Sequence, residues 1–426
     1  MFLMLLALII FGLTYLFIIT EWVNKMLASL IGGFLIIITG IVHQHEALIA
    51  VDWNVIFFLI GMMLVISVLK KTGVFMYLAI KTAKVANGKP LMIMILMFLV
   101  TAILSAFLGS VTTVMILVPI VLLISGELKI SPIPFIITMV IASNMGGAAT
   151  MVGDPPNILI GSATDYQFLD FLFNLTPPVV IITISSIVLI KIIYRKQMRV
   201  SNENRARLMS YREATLIKDR KLLVRSSIVL LLMLIALSMQ GILKLETATV
   251  SMSAGLFLLL ISDRKKVESV LTNDIDWMTI FFFIGLFMLV ESLVQTGFID
   301  ITAQRIVAAT KGQPMMASMM ILWLSGIFSA IIDNVPFVAA MIPMVQKMGE
   351  LMNNTNAMHP IWWSLALGTC LGGNGTLIGA SANIVAVGIA NRNGFHISFK
   401  QFTIIGAIFT LNSLVISTLY ILFRYF

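Results

Sequence analysis

Along this chain apolar residues come in runs rather than alternating with polar ones. Most runs are about 17–20 residues long, the length of helix that crosses a bilayer core. Backbone N–H and C=O groups facing lipid must be paired internally, so runs of this kind predict helices. The predicted spans are 2–20, 25–42, 53–70, 132–163, 176–194, 223–240, 246–262, 277–294, 360–390 and 402–423, with 132–163 and 360–390 each broken in the middle. The first run, Phe2 to Ile19, has no Lys or Arg before it and no small-residue cleavage site, so it is expected to stay as a helix. Two stretches, 91–125 and 315–350, differ from the rest. Each has two apolar arms of about 12–16 residues, short of a full span. The arms flank a polar tip: Gly109-Ser110-Val111-Thr112-Thr113 in one and Asp333-Asn334-Val335-Pro336 in the other. Non-helical backbone at membrane depth is stable only when buried in protein or lining a cavity. Both stretches are therefore predicted to be re-entrant helical hairpins that enter and leave on one side. The expected fold class is an all-α polytopic membrane protein.

The pattern occurs twice. Val51-Asp52-Trp53 through Pro119-Ile120 overlays Ile275-Asp276-Trp277 through Pro343-Met344 without a gap, which matches Gly61 with Gly285 and Ser105-Ala106 with Ser329-Ala330. Two residues out of step, Gly146-Gly147, Thr150, Gly153 and Asn157 then match Gly372-Gly373, Thr376, Gly379 and Asn383. Residues 1–194 and 223–426 read as two repeats joined by a linker, 195–222. Each repeat has five crossings and one hairpin, and an odd number of crossings turns the second copy over. The expected architecture is two inverted repeats of five transmembrane helices, each with a re-entrant helical hairpin and a broken helix.

Composition sharpens this. Of 426 residues, 59% are hydrophobic and 11% charged, against roughly 25% charged in soluble domains, which excludes a soluble globular fold. The net charge of +9 sits mainly in 191–225, where eleven Lys and Arg meet Glu203, Glu213 and Asp219. A nucleic-acid surface would interleave aromatics on a folded frame, so no nucleic-acid partner is expected. The positive-inside rule reads the segment as a cytoplasmic loop, with contact to anionic lipid heads as the alternative. With 195–222 inside, 23 of the 28 Lys and Arg fall on the inner side, including Lys25, Lys70, Lys71, Arg264, Lys265 and Lys266; Lys244, Arg305, Lys311, Lys347 and Arg424 fall outside. Both termini are then outside, in an integral plasma (cell inner) membrane. Hairpin 91–125 would open from the cytoplasm and 315–350 from the outside. The segments 73–88 and 297–312 read as interfacial amphipathic helices that brace the hairpins or merely connect them.

The candidate chemistry lies in the breaks and tips. Asn144 to Asn157 cannot be one helix, because Gly146, Gly147, Gly153, Pro155 and Pro156 interrupt its backbone pairing around Asp154. Gly372, Gly373, Gly375 and Gly379 break the second repeat in the same place, and these nine residues are the candidate hinges. A charged residue at bilayer depth costs at least ~2.5 kcal/mol and so wants a partner or a task. The plainer alternative is a Pro-Pro kink with Asp154 capping a helix. Asp154 and Pro155 become Ala380 and Ser381 in the second copy, whereas Asp333-Asn334 stands opposite Gly109-Ser110. One carboxylate remains per repeat, and neither the breaks nor the tips contain Lys or Arg. A permanently anionic substrate would need a bound cation or protonation to neutralise them, so cation or proton handling is the simpler use. The candidate substrate- or ion-binding residues are Ser110, Thr112, Thr113, Asn144, Thr150, Asp154, Asn157, Asp333, Asn334, Asn374, Thr376, Ser381 and Asn383. A sodium site is expected near Asp154 and Asp333, with sodium or a proton as coupling ion and no organic cofactor. Glu291 is read as snorkelling to the interface or as a proton relay, Asp52 and Asp276 as interface anchors. Cys370, the lone cysteine, excludes an internal disulfide and is a packing residue or a ligand.

These residues resemble the ion-transporter superfamily of arsenite permeases and sodium–proton antiporters (ArsB/NhaD), with its citrate-transporter-like domain, and within it the branch of the melanosomal P protein. The likeness rests on Ser105-Ala106-Phe107-Leu108, Val111-Thr112-Thr113-Val114-Met115, Asn144 to Asn157, Ile332-Asp333-Asn334-Val335-Pro336-Phe337 and Leu371 to Asn383. It covers nearly the whole chain, and implies inverted repeats, a homodimer and elevator-type alternating access. That branch usually carries Asp-Asn at the first tip, where this chain has Gly109-Ser110. The dicarboxylate branch carries Ser-Asn-Thr at both tips, which Ser110-Val111-Thr112 and Asn334-Val335-Pro336 match poorly. The expected function is a secondary active transporter of a small inorganic ion, proton- or sodium-coupled, of sodium/proton-exchange or arsenite/anion-permease type. The alternative is a sodium-coupled dicarboxylate or citrate carrier. An ion channel is the other class, distinguished by flux that no opposing gradient drives uphill. An enzyme is not expected. Met151-Val152-Gly153-Asp154 lacks the first glycine of a Gly-x-Gly-Asp protease motif, and no nucleotide-binding loop occurs.

Overall fold

The computed structural model describes residues 1–20, 22–195, 200–210, 213–262, 267–352 and 355–426. Arg264, Lys265 and Lys266, like Lys196, Arg199 and Arg212 of the basic segment, lie outside the described residues. The described residues form helices and no strand. In order these are α1 (Phe2–Thr20), α2 (Lys25–Ile38), α3 (Gln44–Ile49), α4 (Trp53–Lys71), α5 (Val74–Val85), α6 (Pro90–Leu108) and α7 (Ser110–Leu128). Next come α8 (Ile133–Gly147), α9 (Pro155–Ser162), α10 (Phe168–Tyr194), α11 (Asn202–Met209), α12 (Arg220–Ser238), α13 (Gln240–Leu243), α14 (Thr247–Ile261) and α15 (Val267–Asn273). The last are α16 (Trp277–Gln295), α17 (Phe298–Ala309), α18 (Pro314–Ile331), α19 (Asn334–Met352), α20 (Thr355–Gly372), α21 (Ser381–Arg392) and α22 (Phe399–Tyr425). Nine segments among the described residues are long and apolar enough to cross a membrane, and α2, α8 and α14 are shorter apolar helices. The protein is an all-helical, polytopic integral membrane protein.

Local chemistry sets several helix starts. Asn24 accepts from Met26 N at 2.9 Å to start α2, and Asp52 and Asp276 each accept at 3.1 Å from the N–H three residues on, starting α4 and α16. The two aspartates expected as interface anchors are therefore N-caps, satisfying N–H groups that have no partner inside the helix. The two amphipathic segments form α5 and α17, each entered through a left-handed glycine, Gly73 at φ 82° and Gly297 at φ 75°. The described part of the basic linker is not a bare loop. Its α11 docks on the end of α7 through Asn204 Nδ2, which donates to Leu128 O at 3.2 Å, and Lys218 N donates to Thr72 O at 2.9 Å.

Each of the two expected hairpin stretches holds a pair of helices in contact, α6 with α7 and α18 with α19, and these arms are longer than the apolar runs. The arms hold 19, 19, 18 and 19 residues, so each reaches roughly 27–29 Å at 1.5 Å per residue, close to a bilayer core. The expectation of 12–16-residue arms is corrected. Backbone pairing continues through polar residues such as Glu127 and Gln346 that end the apolar run but not the helix.

The helices fall into two packed groups. In one, α6 lies on α8 and α18 on α20, with α9, α10, α21 and α22 around them. A Cβ on Gly146 would overlap the Ala102 backbone, which measures how close α6 and α8 run. In the other group α2 packs on α16, α4 on α14, and α1 and α12 lie alongside. Asn54 bonds Ala248 N at 3.1 Å while Gly61 abuts Ser251 and Met252, so α4 and α14 run in the same direction. Asn24 meets Met278 while Gly33 abuts Gly285 and Met288, so α2 and α16 do too.

Candidate functional site

Each helix break is tied down by its own asparagine. Asn157 Nδ2 donates to Ala148 O at 3.2 Å and Thr150 O at 2.9 Å, and Asn383 Nδ2 donates to Gly373 O and Thr376 O, both at 2.8 Å. These bonds satisfy carbonyls that a continuous helix would have paired, which buried backbone requires. The hydroxyls of Thr150 and Thr376 then bind each break to its hairpin, donating to Ala106 O and Ala330 O respectively. Ser105 and Ser329, each one residue before those acceptors, add a second tie, donating to Ser143 O at 2.6 Å and Thr369 O at 2.7 Å. Asn157, Asn383, Thr150 and Thr376 were expected to offer oxygens to an ion. Their amide and hydroxyl donors brace the frame.

The two breaks meet. Asn144 Nδ2 donates to Asn374 Oδ1 and to Asn383 Oδ1, both at 2.9 Å, and is fully buried. Its own Oδ1 has no hydrogen-bond partner among the described residues. Cys370, which stands in the second copy where Asn144 stands in the first, donates through Sγ to Asn157 Oδ1 at 3.6 Å. Each copy thus reaches into the asparagine that braces the other. Cys370 packs fully buried, and its thiol contacts a bracing residue.

Asp154 sits where both hairpin tips arrive. Its Oδ1 accepts from Ser110 Oγ at 2.6 Å and its Oδ2 from Asn334 Nδ2 at 2.9 Å, with 1% of the residue exposed. The alternative of a plain helix cap does not hold, since its side chain caps no N–H of α9. The reason is local. The first two residues of α9 are Pro155 and Pro156, which lack N–H groups, and Asn157 N bonds Asp154 O. The carboxylate is left free to reach the hairpins. Thr113, one turn into α7, is buried with its Oγ1 unpartnered among the described residues, and Thr112 beside it is half-buried.

Asp333 has a different setting. Its Oδ1 accepts from Val335 N at 3.2 Å, and its Oδ2 accepts from Ser381 Oγ at 2.5 Å. Lys25 Nζ lies 3.8 Å from the same Oδ2 and donates to Ser381 Oγ at 2.7 Å. The sequence reading placed no fixed cation here, and that is corrected: the ammonium arrives from the start of α2, a helix of the other packed group. A cavity of about 290 Å³, lined by Asn24, Lys25, Asp333 and isoleucines of α1, α18 and the second break, gives access to the pair. The N-termini of α7 and α9 meet at Ser110–Asp154, and those of α19 and α21 at Asp333–Ser381. Each carries roughly half a positive charge, which favours the carboxylates where they stand and would favour an anion once they are neutralised.

A second cavity, about 140 Å³, lies beside the C-terminal half of α16, lined by Asp52, Glu291, Leu159, Ala339 and Pro343 among others. Glu291, half-buried, borders this cavity, and Gln295 Nε2 donates to it at 2.9 Å. Besides Lys25, Tyr15 escaped the sequence reading; its hydroxyl donates to Pro336 O at 2.5 Å, joining α1 to the second tip. Neither residue stands in the repeated motifs, so duplication could not flag them.

The chain is similar to known membrane proteins. An uncharacterised transporter of Mycobacterium tuberculosis is 39% identical over 424 residues, covering 99% of this chain and 98% of that protein. The 46 kDa membrane protein of Mycobacterium leprae is 39% identical over 423 residues, 98% of each chain. The P protein of Mus musculus is 28% identical over 489 aligned positions, 96% of this chain but 59% of that longer protein. The model of the citrate transporter family, CitMHS, matches residues 15–368, most of the chain and all of the first tip, the first break and the second tip. The chain is a membrane transporter, not an enzyme, and belongs to the citrate transporter family.

Proposed function

We propose that this protein is a secondary active transporter of a small ion, coupled to protons or sodium, with Asp333 and Asp154 as the groups that take up the coupling cation. The observation that carries this is the placement of two buried carboxylates at the junction of both hairpin tips and both helix breaks, one of them reached by a cavity. Isolated charge at such depth is expensive and marks ion pathways. Sodium at Asp333 would find Asp333 Oδ2 and Ser381 Oγ; at Asp154, Asp154 and Ser110 oxygens. The test is flux in proteoliposomes driven by an imposed sodium or pH gradient, which Asp333→Ala should abolish. Undiminished flux removes that carboxylate from the mechanism.

A second reading, a sodium-coupled dicarboxylate or citrate carrier, is favoured by Lys25 and the four helix N-termini, which suit an anion, and by the family match. Counterflow with succinate or citrate separates the two readings.

The architecture we infer is two inverted repeats, 1–194 and 223–426, joined by 195–222. Support comes from helix directions. The pairs α2 with α16 and α4 with α14 each run parallel, while α2 and α4 are successive crossings and so oppose one another. Since α14 occupies in its copy the place of α2, the copies face opposite ways. We infer further that the hairpins are re-entrant, that hairpins and broken helices move together against the α2, α4, α14 and α16 group as an elevator, and that two copies assemble as a homodimer. On the positive-inside count both termini lie outside a plasma (cell inner) membrane, and the cavity beside Lys25 opens to the cytoplasm.

A further inference from the structure

Lys25 belongs to one packed group of helices, and the two side chains it touches belong to the other. Its Nζ donates to Ser381 Oγ at 2.7 Å and stands 3.8 Å from Asp333 Oδ2, while Ser381 Oγ donates to that same oxygen at 2.5 Å. The ammonium is thus held by the two oxygens that would otherwise receive a small cation. It is not locked in place. The Lys25 side chain is 36% exposed against 8% for Asp333, it borders the cavity of about 290 Å³, and its Nζ lies 5.4 Å from the centroid of the Phe282 ring, a face on which a cation can rest. A sodium ion at Asp333 and Ser381 would bring a second positive charge within contact distance of Nζ. Like charges that close repel strongly where water is sparse, and four rotatable carbons let the ammonium swing into the cavity.

We propose that Lys25 is a tethered counter-ion that occupies the Asp333–Ser381 site in the unloaded protein and competes directly with sodium for it. This rests on the reading of Asp333 as a cation site. Displacement by sodium removes the one ion pair that ties α2 to the second hairpin tip among the described residues, and leaves the freed ammonium facing the cavity beside Asn24. The competition sets the sodium concentration at which the site fills.

The experiment is a sodium titration of the full-length purified protein at constant ionic strength, with choline as replacement, reading the thermal unfolding midpoint, since a ligand that prefers the folded state raises it. Lys25→Met keeps the stem and removes the charge, and should lower the half-saturating sodium concentration at least about tenfold. Lys25→Arg, whose planar fork holds a carboxylate more firmly, should raise it. Asp333→Asn should abolish the difference between wild type and Lys25→Met, leaving at most a response from the separate Asp154–Ser110 oxygens that is indifferent to Lys25. Equal half-saturation in the wild type and Lys25→Met, or a weaker response in Lys25→Met, overturns the competition while leaving the cation site standing. No sodium response in any protein overturns the competition together with the sodium form of the reading beneath it. Should Lys25→Met fail to fold, an unchanged half-saturation in Lys25→Arg overturns the proposal by itself.

Discussion

Asp154 and Asp333 are both buried but differ in their partners, and the difference follows from single residues. Two prolines after Asp154 withhold the N–H groups that a capping carboxylate would take, so it turns to Ser110 and Asn334. Asp333 keeps one cap, Val335 N, and shares its other oxygen with Ser381 beside Lys25. The first tip lacks an aspartate for a backbone reason. Gly109 sits at φ 83°, ψ 149°, a region that residues with a Cβ reach only at a cost of about 1–3 kcal/mol. At the second tip the counterpart of Gly109, Asp333, is not among the residues with positive φ, so no glycine is required there. Asn144 shows how much the centre depends on one amide. Its Nδ2 serves two buried acceptors, Asn374 Oδ1 and Asn383 Oδ1. Asn144→Ala leaves both without that donor, and a buried unsatisfied group costs ~1–3 kcal/mol. Asn144→Ala should lower the thermal midpoint clearly in detergent; a midpoint equal to wild type would mean that water or a shift of the breaks satisfies both amides.

At the scale of helices, close backbone approach holds the second group together, as expected where lipid is as apolar as any side chain and packing must drive association. A Cβ on Gly61 would come within 2.5 Å of the Ser251–Met252 backbone of α14, and one on Gly285 within 2.5 Å of Ser29 on α2. The two contacts are counterparts in the two copies. Gly61→Val and Gly285→Val should each separate a helix pair and lower the yield of folded, monodisperse protein. Gly12→Val, whose added Cβ meets nothing within 4 Å, should behave as wild type. Parity between all three would remove the packing argument. These elements also show what the chain discloses before folding. The breaks were legible because Gly and Pro act on the backbone they sit in, and the match of Gly146-Gly147 with Gly372-Gly373 needed no third dimension. The hairpins were legible as pairs but not in length, because apolar runs end before helices do: α7 runs on through Glu127. Asn157 and Thr150 were found but their bracing bonds were not, since sequence shows a polar atom and not its partner. Lys25 was invisible as a site residue. It lies 308 positions from Asp333 in the chain, and only the folding of α2 against the second tip joins them.

For the whole molecule the central question is whether the two packed groups move relative to one another, as the elevator reading requires. Few polar contacts cross between them near the site: Lys25 to Ser381 and Asp333, and Tyr15 to Pro336. Both lie at the second tip, so that tip is where the groups are held and where displacement would be felt first. A boundary crossed near the site by so few polar ties suits rigid-body motion better than gradual deformation, because packed cores resist shear. A covalent bridge across the boundary should therefore stop transport while leaving the fold intact. Asn24 on the α2 side and Ile384 on α21 line the same cavity from opposite groups. With Cys370, the lone native cysteine, replaced by alanine, Asn24→Cys with Ile384→Cys joined by a short bis-maleimide should lose flux in proteoliposomes. Each single cysteine treated alike should retain it. Sodium-dependent thermal stabilisation should survive the bridge, because binding at Asp333 needs only the swing of Lys25 and not the travel of the helices. Full flux through the bridged protein would show that the groups stay fixed during transport, and the elevator reading would fall while the ion site remained.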